Sequence, residues 1–288
     1  MFCARDHVDV EYLLSEPDGR LVLPENEDPR CAVLVLSGSS GRVEVDRVRL
    51  LAARGAAALS MRWFGDVHQP PGICEVPLET FSPALDRLSS LSEHLAVMGV
   101  SKGAEAALLL ASRDARIRAV AALSPSSVVW ANVGPGIDDT QRPLRSSWTE
   151  GGEPLPFVPY DDTWLPPTGG PPSYCGLYEQ SLKIFASRVS EATIPVERIA
   201  GQVLLTAGGD DLVWPSVLFA SQVQDRRAAH GLDTKVITSS TAGHRVHLPG
   251  EPTPGPEGMT MQRGGTAEAD AELGSRVWPA LLNLLKLK

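Results

Sequence analysis

Gly99-Val100-Ser101-Lys102-Gly103 follows the apolar run Leu95-Ala96-Val97-Met98 and leads into Ala104-Glu105-Ala106-Ala107-Leu108-Leu109-Leu110-Ala111, a string of strong helix formers. A serine that leaves a buried strand and enters a helix within two residues projects its hydroxyl from the sheet edge, the turn known as a nucleophile elbow. The flanking glycines suit it, because a Cβ at either position would meet neighbouring strand or helix backbone. With 26 glycines and 25 serines in 288 residues, chance supplies about 0.2 copies of the spacing, so context must carry the case. Strand, turn and helix stand in the required order, and they predict a serine-nucleophile enzyme built around Ser101.

A serine hydroxyl is a weak nucleophile at neutral pH and needs a histidine base oriented by a carboxylate. At such an elbow the chain order is serine, then Asp or Glu, then histidine. The histidines after Ser101 are His230, His244 and His247. His244, in Thr241-Ala242-Gly243-His244 just past the last short strand, is the expected base, with His247 as a fallback. His230 lies in a helical stretch and is expected to be structural. The acid belongs on the loop after residues 203–206, where Asp210 and Asp211 both stand. Spacing of three residues from Gly208 and from Trp214 favours Asp211, and Asp210 stays open. Paired aspartates ahead of Pro215-Ser216 also suit a helix cap. The oxyanion of a tetrahedral intermediate needs two N–H donors. The backbone of Lys102 is the expected first donor, and Ser39 in Ser37-Gly38-Ser39-Ser40-Gly41 the second. That loop lacks both Gly-x-Gly-x-x-Gly and Gly-Lys-Ser/Thr spacing, so it is not expected to cradle a phosphate. Glu105 and His94 are expected to be structural, and Asp66 and His68 to lie on a plain surface loop.

The elements that must position these residues follow an alternating pattern. Strand-like runs at 32–36, 56–61, 95–100, 117–123, 203–206 and 235–238 interleave with helix-like stretches at 45–54, 78–91, 102–112 and 217–230 and a closing helix at about 267–285. Runs of Val, Leu and Ala that are apolar on both faces predict a mostly parallel central sheet flanked by helices. The expectation is one α/β domain over 1–288. Residues 126–195, rich in Pro, Gly and Trp, break the pattern until a helix near 178–189 and are expected to form a lid-like insertion. Trp130, Trp148, Tyr160, Trp164 and Tyr174 either line an apolar pocket there or pack the insertion onto the body.

Composition narrows the partners. The net charge of −9, with no Lys/Arg cluster in sequence, argues against nucleic acid or an anionic membrane. An anionic substrate would need a local basic patch, for which Arg42, Arg62 and Lys102 are nearest. Charges near Met1-Phe2-Cys3-Ala4-Arg5-Asp6-His7 and the lack of an 18-residue apolar run predict a cytoplasmic protein without a membrane span. Cys3, Cys31, Cys74 and Cys175 show no C-x-x-C spacing, so neither a metal site nor a disulfide scaffold is expected. No cofactor is implied, and nothing in the composition sets an oligomeric state.

Gly99-Val100-Ser101-Lys102-Gly103-Ala104-Glu105, Arg62-Trp63-Phe64-Gly65, Ile194-Pro195-Val196-Glu197-Arg198, Gly209-Asp210-Asp211-Leu212-Val213-Trp214-Pro215-Ser216 and Gly243-His244 together resemble the C-terminal catalytic domain of acyl-CoA thioesterases and bile acid-CoA:amino acid N-acyltransferases. The resemblance runs from about 32 to 285. It implies an α/β-hydrolase fold and a Ser101, Asp211, His244 triad acting on a small-molecule acyl thioester or ester. Mammalian relatives resemble two-domain proteins with an N-terminal β-sandwich, whereas about 30 residues precede the core here. The N-acyltransferase branch is similar but carries cysteine where this chain has Ser101, and the ending Lys286-Leu287-Lys288 lacks a Ser-Lys-Leu signal. The leading expectation is an acyl thioester hydrolase. An acyltransferase or cyclase that passes the acyl group to an amine or alcohol, a carboxylesterase, and a binding protein that has lost catalysis are the alternatives.

Overall fold

The computed structural model describes residues 10–25, 27–252 and 261–288. Cys3, the segment 1–7 and residues 253–260 lie outside them. The central sheet has eight strands: β1 (Val10–Ser15), β2 (Asp18–Leu23), β3 (Cys31–Leu36), β4 (Ala56–Met61), β6 (Leu95–Val100), β7 (Ile117–Leu123), β10 (Gln202–Gly208) and β11 (Lys235–Ser239). A small second sheet joins β5 (Val76–Pro77), β8 (Trp148–Glu150) and β9 (Glu153–Pro154). The helices are α1 (Val45–Ala52), α2 (Ser82–Ser89), α3 (Lys102–Ala111), α4 (Cys175–Ile184), α5 (Ala186–Ala192), α6 (Ser216–Ala228) and α7 (Ala267–Leu284).

Strand order in the large sheet is β1-β2-β4-β3-β6-β7-β10-β11. All neighbours from β4 to β11 run parallel, and only the β1/β2 and β2/β4 pairs are antiparallel. Every residue of β3 and β4 is buried, because helices cover both faces. Alternation sorts the side chains: Val33, Val35, Ala96 and Met98 pack with Val48 and Leu51 of α1 and Leu273 and Val277 of α7. Leu34, Leu36 and Val97 face the opposite way, onto Leu85 and Leu88 of α2, Leu108 of α3 and Val223 of α6.

The sheet order also creates the crevice. From β3 the chain moves outward to β4, then returns across β3 to build β6 and everything beyond. The loops after β3 and β6 therefore leave in opposite directions, and a cleft opens between them at the carboxyl ends of the strands. Ser101 follows β6 and Gly38-Ser39 follow β3, so both sit at this reversal.

Several expectations need correction. The helix expected over 78–91 is a short 3-10 turn, Leu78–Phe81, followed by α2, with Pro83 at the start of the regular helix. The helix expected near 178–189 is two helices that meet at Phe185, whose backbone is non-helical. The β1/β2 hairpin was not anticipated, although Glu16-Pro17, followed by Asp18-Gly19, is a turn signal between the apolar stretches Tyr12-Leu13-Leu14 and Leu21-Val22-Leu23. Among the described residues no helix is long and apolar enough to cross a membrane.

Candidate active site

Ser101 stands between β6 and α3 with φ 57° and ψ −122°, a positive-φ conformation that costs a non-glycine residue about 1–3 kcal/mol. The surrounding backbone holds it there. Its N–H donates to the Leu123 carbonyl at 2.9 Å, and its carbonyl accepts from Ala104 at 2.8 Å and Glu105 at 3.1 Å. Glycine is obligatory on both sides: a Cβ on Gly99 would sit 2.0 Å from the Gly103 oxygen, and one on Gly103 would sit 2.3 Å from the Ser37 oxygen. The β3 loop is equally close, since a Cβ on Gly38 would lie 3.1 Å from Ser101 Cβ. The Lys102 N–H opens α3 and has no carbonyl one turn back to receive it. Ser39 occupies the turn closed by the bond from Gly41 N–H to the Gly38 carbonyl and shares two cavity walls with Ser101.

His244 is buried and its Nδ1 lies 2.8 Å from Asp211 Oδ2. An ionised carboxylate only accepts, so Nδ1 carries the proton and Nε2 is left with its lone pair. Asp211 Oδ1 accepts from the backbone of Val213 at 2.8 Å and Trp214 at 3.2 Å, which fixes the carboxylate ahead of α6. Asp210 does something else: its Oδ2 accepts from Gly265 N–H at 2.8 Å. His247 Nε2 is taken up by the carbonyls of Glu251 and Pro252, and exposed His230 bonds the Arg226 carbonyl through Nδ1. The structure thus brings Ser101 and His244 to one cavity and joins His244 to Asp211. No Ser101–His244 hydrogen bond is present among the described residues, and catalytic bonds of this kind commonly tighten only with substrate bound.

Three further residues hold the histidine loop, and none was singled out from sequence for that task. Ser124 Oγ, at the end of β7, donates to the His244 carbonyl at 2.7 Å. The His244 N–H donates to the Arg263 carbonyl at 2.9 Å, and Asp270 accepts from Gly243 N–H at 2.7 Å. The available signal for Ser124 was its place at a strand's carboxyl end. Asp270 carried none, because the contact joins residues brought together only by the fold.

The Lys102 side chain points inward. Its Nζ lies 2.7 Å from Glu105 Oε2, 2.9 Å from Ser147 Oγ and 5.6 Å from the centre of the Trp148 ring. Glu105 also accepts from Trp148 Nε1 at 2.7 Å and from the Trp130 N–H at 3.2 Å. Burial pushes the Glu105 carboxyl up and the Lys102 ammonium down, and the opposite charge of each offsets part of that cost for the other. Lys102 is thus unavailable to a surface anion. Arg62 is also excluded from the basic patch, since it lies near Asp18 and lines neither cavity at Ser101. His94 bonds the Leu284 carbonyl beyond the opposite end of β6, and Asp66 accepts from Asp18 and Val67 amides in its loop.

Two cavities meet at Ser101. One, of about 260 Å³, is lined by Val133, Leu144, Tyr160, Tyr174, Leu177, Tyr178, Val213 and Trp214 among others. Tyr160 and Tyr174 are therefore pocket residues, as are Tyr178 and Trp214, which the sequence reading passed over. Trp130 and Trp148 are fully buried packing residues instead, and Trp164 lies tilted against Tyr174, 5.9 Å between ring centres, outside the wall. The second cavity, of about 110 Å³, is bounded by His244 and several arginines. Burial pushes the Cys31 thiol up to about 12 and the Cys175 thiol up to about 11, so neither supplies a thiolate near neutral pH.

A mostly parallel sheet with a strained serine at its topological reversal, and a histidine held by a carboxylate beside it, defines an α/β-hydrolase. The chain belongs to the family described as BAAT / Acyl-CoA thioester hydrolase C terminal, which matches residues 76–288. It is 28% identical over 236 residues to human acyl-coenzyme A thioesterase 1, covering 80% of this chain and 52% of that protein. It is 25% identical over 239 residues to rat acyl-coenzyme A amino acid N-acyltransferase 2, covering 81% and 53%. The chain spans about half the length of the curated relatives it matches. Among solved structures, a dienelactone hydrolase-like promiscuous phosphotriesterase from metagenomic libraries matches with a TM-score of 0.55 at 18% identity, covering 98% of both chains. That likeness bears on the fold alone.

Proposed function

We propose that the protein hydrolyses acyl thioesters through a Ser101-His244-Asp211 triad. The observation that carries this reading is the 2.8 Å bond from His244 Nδ1 to Asp211 beside a serine held at φ 57° on the wall of the same cavity. His244 Nε2 takes the proton of Ser101 Oγ as that oxygen adds to the acyl carbon. The carbonyl pair moves to oxygen, and the N–H groups of Lys102 and Ser39 receive the oxyanion. Collapse expels the thiolate, which takes the proton from His244, and leaves an oxygen ester on Ser101. Water then repeats the cycle, with His244 as base, and the products are a free acid and the enzyme.

The apolar cavity would take the acyl chain, and residues 126–195 act in this reading as a lid-like insertion on a single α/β-hydrolase domain. Tyr160, Tyr174 and Tyr178 from that segment support it. The free thiols of Cys31, Cys74 and Cys175 suit a reducing compartment such as the cytoplasm, and the net charge of −9 suits a small-molecule partner over nucleic acid.

The test is a panel of acyl-CoAs and p-nitrophenyl esters of graded chain length, with and without glycine or taurine, read by thiol release and product mass. Ser101-dependent free acid from thioesters is the expected result. Amide product would move the protein to acyl transfer, cleavage of esters alone would make it a carboxylesterase, and turnover that survives Ser101→Ala would overturn the triad.

A further inference from the structure

We infer that β1 is a self-association edge: two copies of the chain pair antiparallel through residues 10–15, so that the central sheet runs on from one copy into the other. The inference is independent of the reaction assigned to Ser101. β1 ends the strand order, and among the described residues it pairs with β2 alone, which leaves its outer side open. An open edge is a template for another strand, and proteins usually blunt it with lysine, proline or a bulge. β1 has none of these: it reads Val-Glu-Tyr-Leu-Leu-Ser, in unbroken register with β2. Its one carboxylate, Glu11, is drawn onto the sheet by Arg20 at 2.9 Å and Arg49 at 2.8 Å. Leu13 is 70% exposed, and Val10 and Tyr12 are nearly half exposed. The opposite edge differs, since the exposed positions of β11 are Lys235 and Thr238.

The ladder fixes which backbone groups of β1 face outward. Asp18 donates its N–H to Asp66, and its carbonyl accepts from the Arg62 N–H at 2.7 Å, so its backbone is turned away from β1 toward β4. Hydrogen bonding alternates along an antiparallel strand, so Gly19, Leu21 and Leu23 bond β1 through Leu14, Tyr12 and Val10. The N–H and C=O groups of Glu11, Leu13 and Ser15 are then left facing away from the sheet. A second copy offers the same three residues in reverse. With a two-fold axis perpendicular to the sheet at Leu13, Leu13 faces itself and Glu11 faces Ser15 of the second copy. That gives about six backbone hydrogen bonds, two for each of three facing pairs. Tyr12 faces Leu14 of the second copy, an aromatic–aliphatic pair made once on each side of the axis. No like charges meet, because Glu11 never stands opposite Glu11. This match of the strand to itself selects a second copy over an unrelated partner. β1 runs in the same direction as β4 and β6, so antiparallel pairing turns the two Ser101 clefts to opposite sides and covers neither.

The experiment is sedimentation velocity on the full chain over a concentration series, with hydrogen exchange measured on the same samples. A dimer is expected, and the amides of Glu11, Leu13 and Ser15 exchange more slowly as its fraction rises. Leu13→Pro removes an outward donor and spares the β1/β2 ladder, whereas Leu13→Lys sets two ammonium groups face to face at the axis. Each is expected to weaken association about tenfold or more. Should the proline variant not fold, the lysine variant gives the same readout from an exposed position, with an unchanged far-ultraviolet circular dichroism spectrum as its control. A chain that stays monomeric up to about 100 µM overturns the inference. So does a dimer that survives Leu13→Lys unchanged, or one whose β1 amides exchange at the same rate as in the monomer, because either result puts the contact on another face. Slow exchange at Glu11, Leu13 and Ser15 in a monomer would assign the edge to another segment of the same chain and also overturns it.

Discussion

At the scale of single residues, Asp210 and Asp211 are adjacent in sequence and different in task. Asp211 spends one oxygen on two backbone amides and the other on His244, whereas Asp210 holds Gly265. Asp211→Asn is accordingly expected to lower kcat by about 10⁴, because an amide can present its NH₂ to Nδ1 and favour the wrong tautomer. Asp210→Asn is expected to leave kcat within an order of magnitude, and thiol release from one acyl-CoA compares the two directly. Ser101→Ala is expected to cost on the order of 10⁶ in kcat with an unchanged far-ultraviolet circular dichroism spectrum, since its strained backbone is held by neighbours rather than by its hydroxyl. The serine, the histidine and the aspartate were legible because each stands in a short local pattern: an elbow, Gly-His after a strand, and Gly-x-x-Asp-x-x-Trp. Arg245 and Arg263 were not legible, because 17 intervening positions in sequence and a fold-dependent turn bring them to one wall.

At the scale of elements, the sheet was legible and the insertion was not. β4, β6 and β7 match the expected runs because a strand buried on both faces is a continuous apolar string with sharp polar ends. The Pro- and Gly-rich stretch after β7 has no period to follow, and its aromatics divide between packing (Trp130, Trp148) and pocket wall (Tyr160, Tyr174) according to contacts that only the fold creates. One contact set ties the insertion to the elbow. Glu105 and Lys102 on the first turn of α3 bond Trp130, Ser147 and Trp148 across the base of the insertion. Removing one member of a buried pair leaves an uncompensated charge, so Lys102→Met is expected to destabilise the fold by about 3–5 kcal/mol. Lys102→Met/Glu105→Gln should recover part of that loss, because the double change removes both charges and keeps an acceptor for the Trp148 indole. Urea midpoints of the two variants measure the difference, and equal destabilisation of single and double variants would sink the ion-pair account.

At the scale of the whole molecule, acid stability is set by carboxylates that the fold pairs, and one of them couples the end of the insertion to the body. Glu197, in the 3-10 turn just before β10, bonds Arg226 of α6 through both carboxylate oxygens, at 2.5 and 2.9 Å. The Arg226 guanidinium holds the Glu197 carboxyl down at about 2, against an ordinary value of 4.5. A depressed folded-state value means the contribution is fully present above the unfolded value and is lost as pH falls through the folded one. The pair therefore stabilises near neutral pH and loses its effect between about 4.5 and about 2. Arg226 is 38% exposed, so solvent screening holds the contribution to about 1 kcal/mol. Other carboxylates are shifted in opposing directions: burial pushes Asp270 up, while for Glu251 the raising effect of burial is outweighed by Arg47, which holds the carboxyl down. Total stability against pH cannot separate these, whereas a difference curve can. Glu197→Gln should be less stable than the parent protein by about 1 kcal/mol at pH 6, and the two should converge toward pH 2. A gap that stays constant over that range would assign the loss to packing, because only a proton-linked contact can vanish when its carboxylate is neutralised.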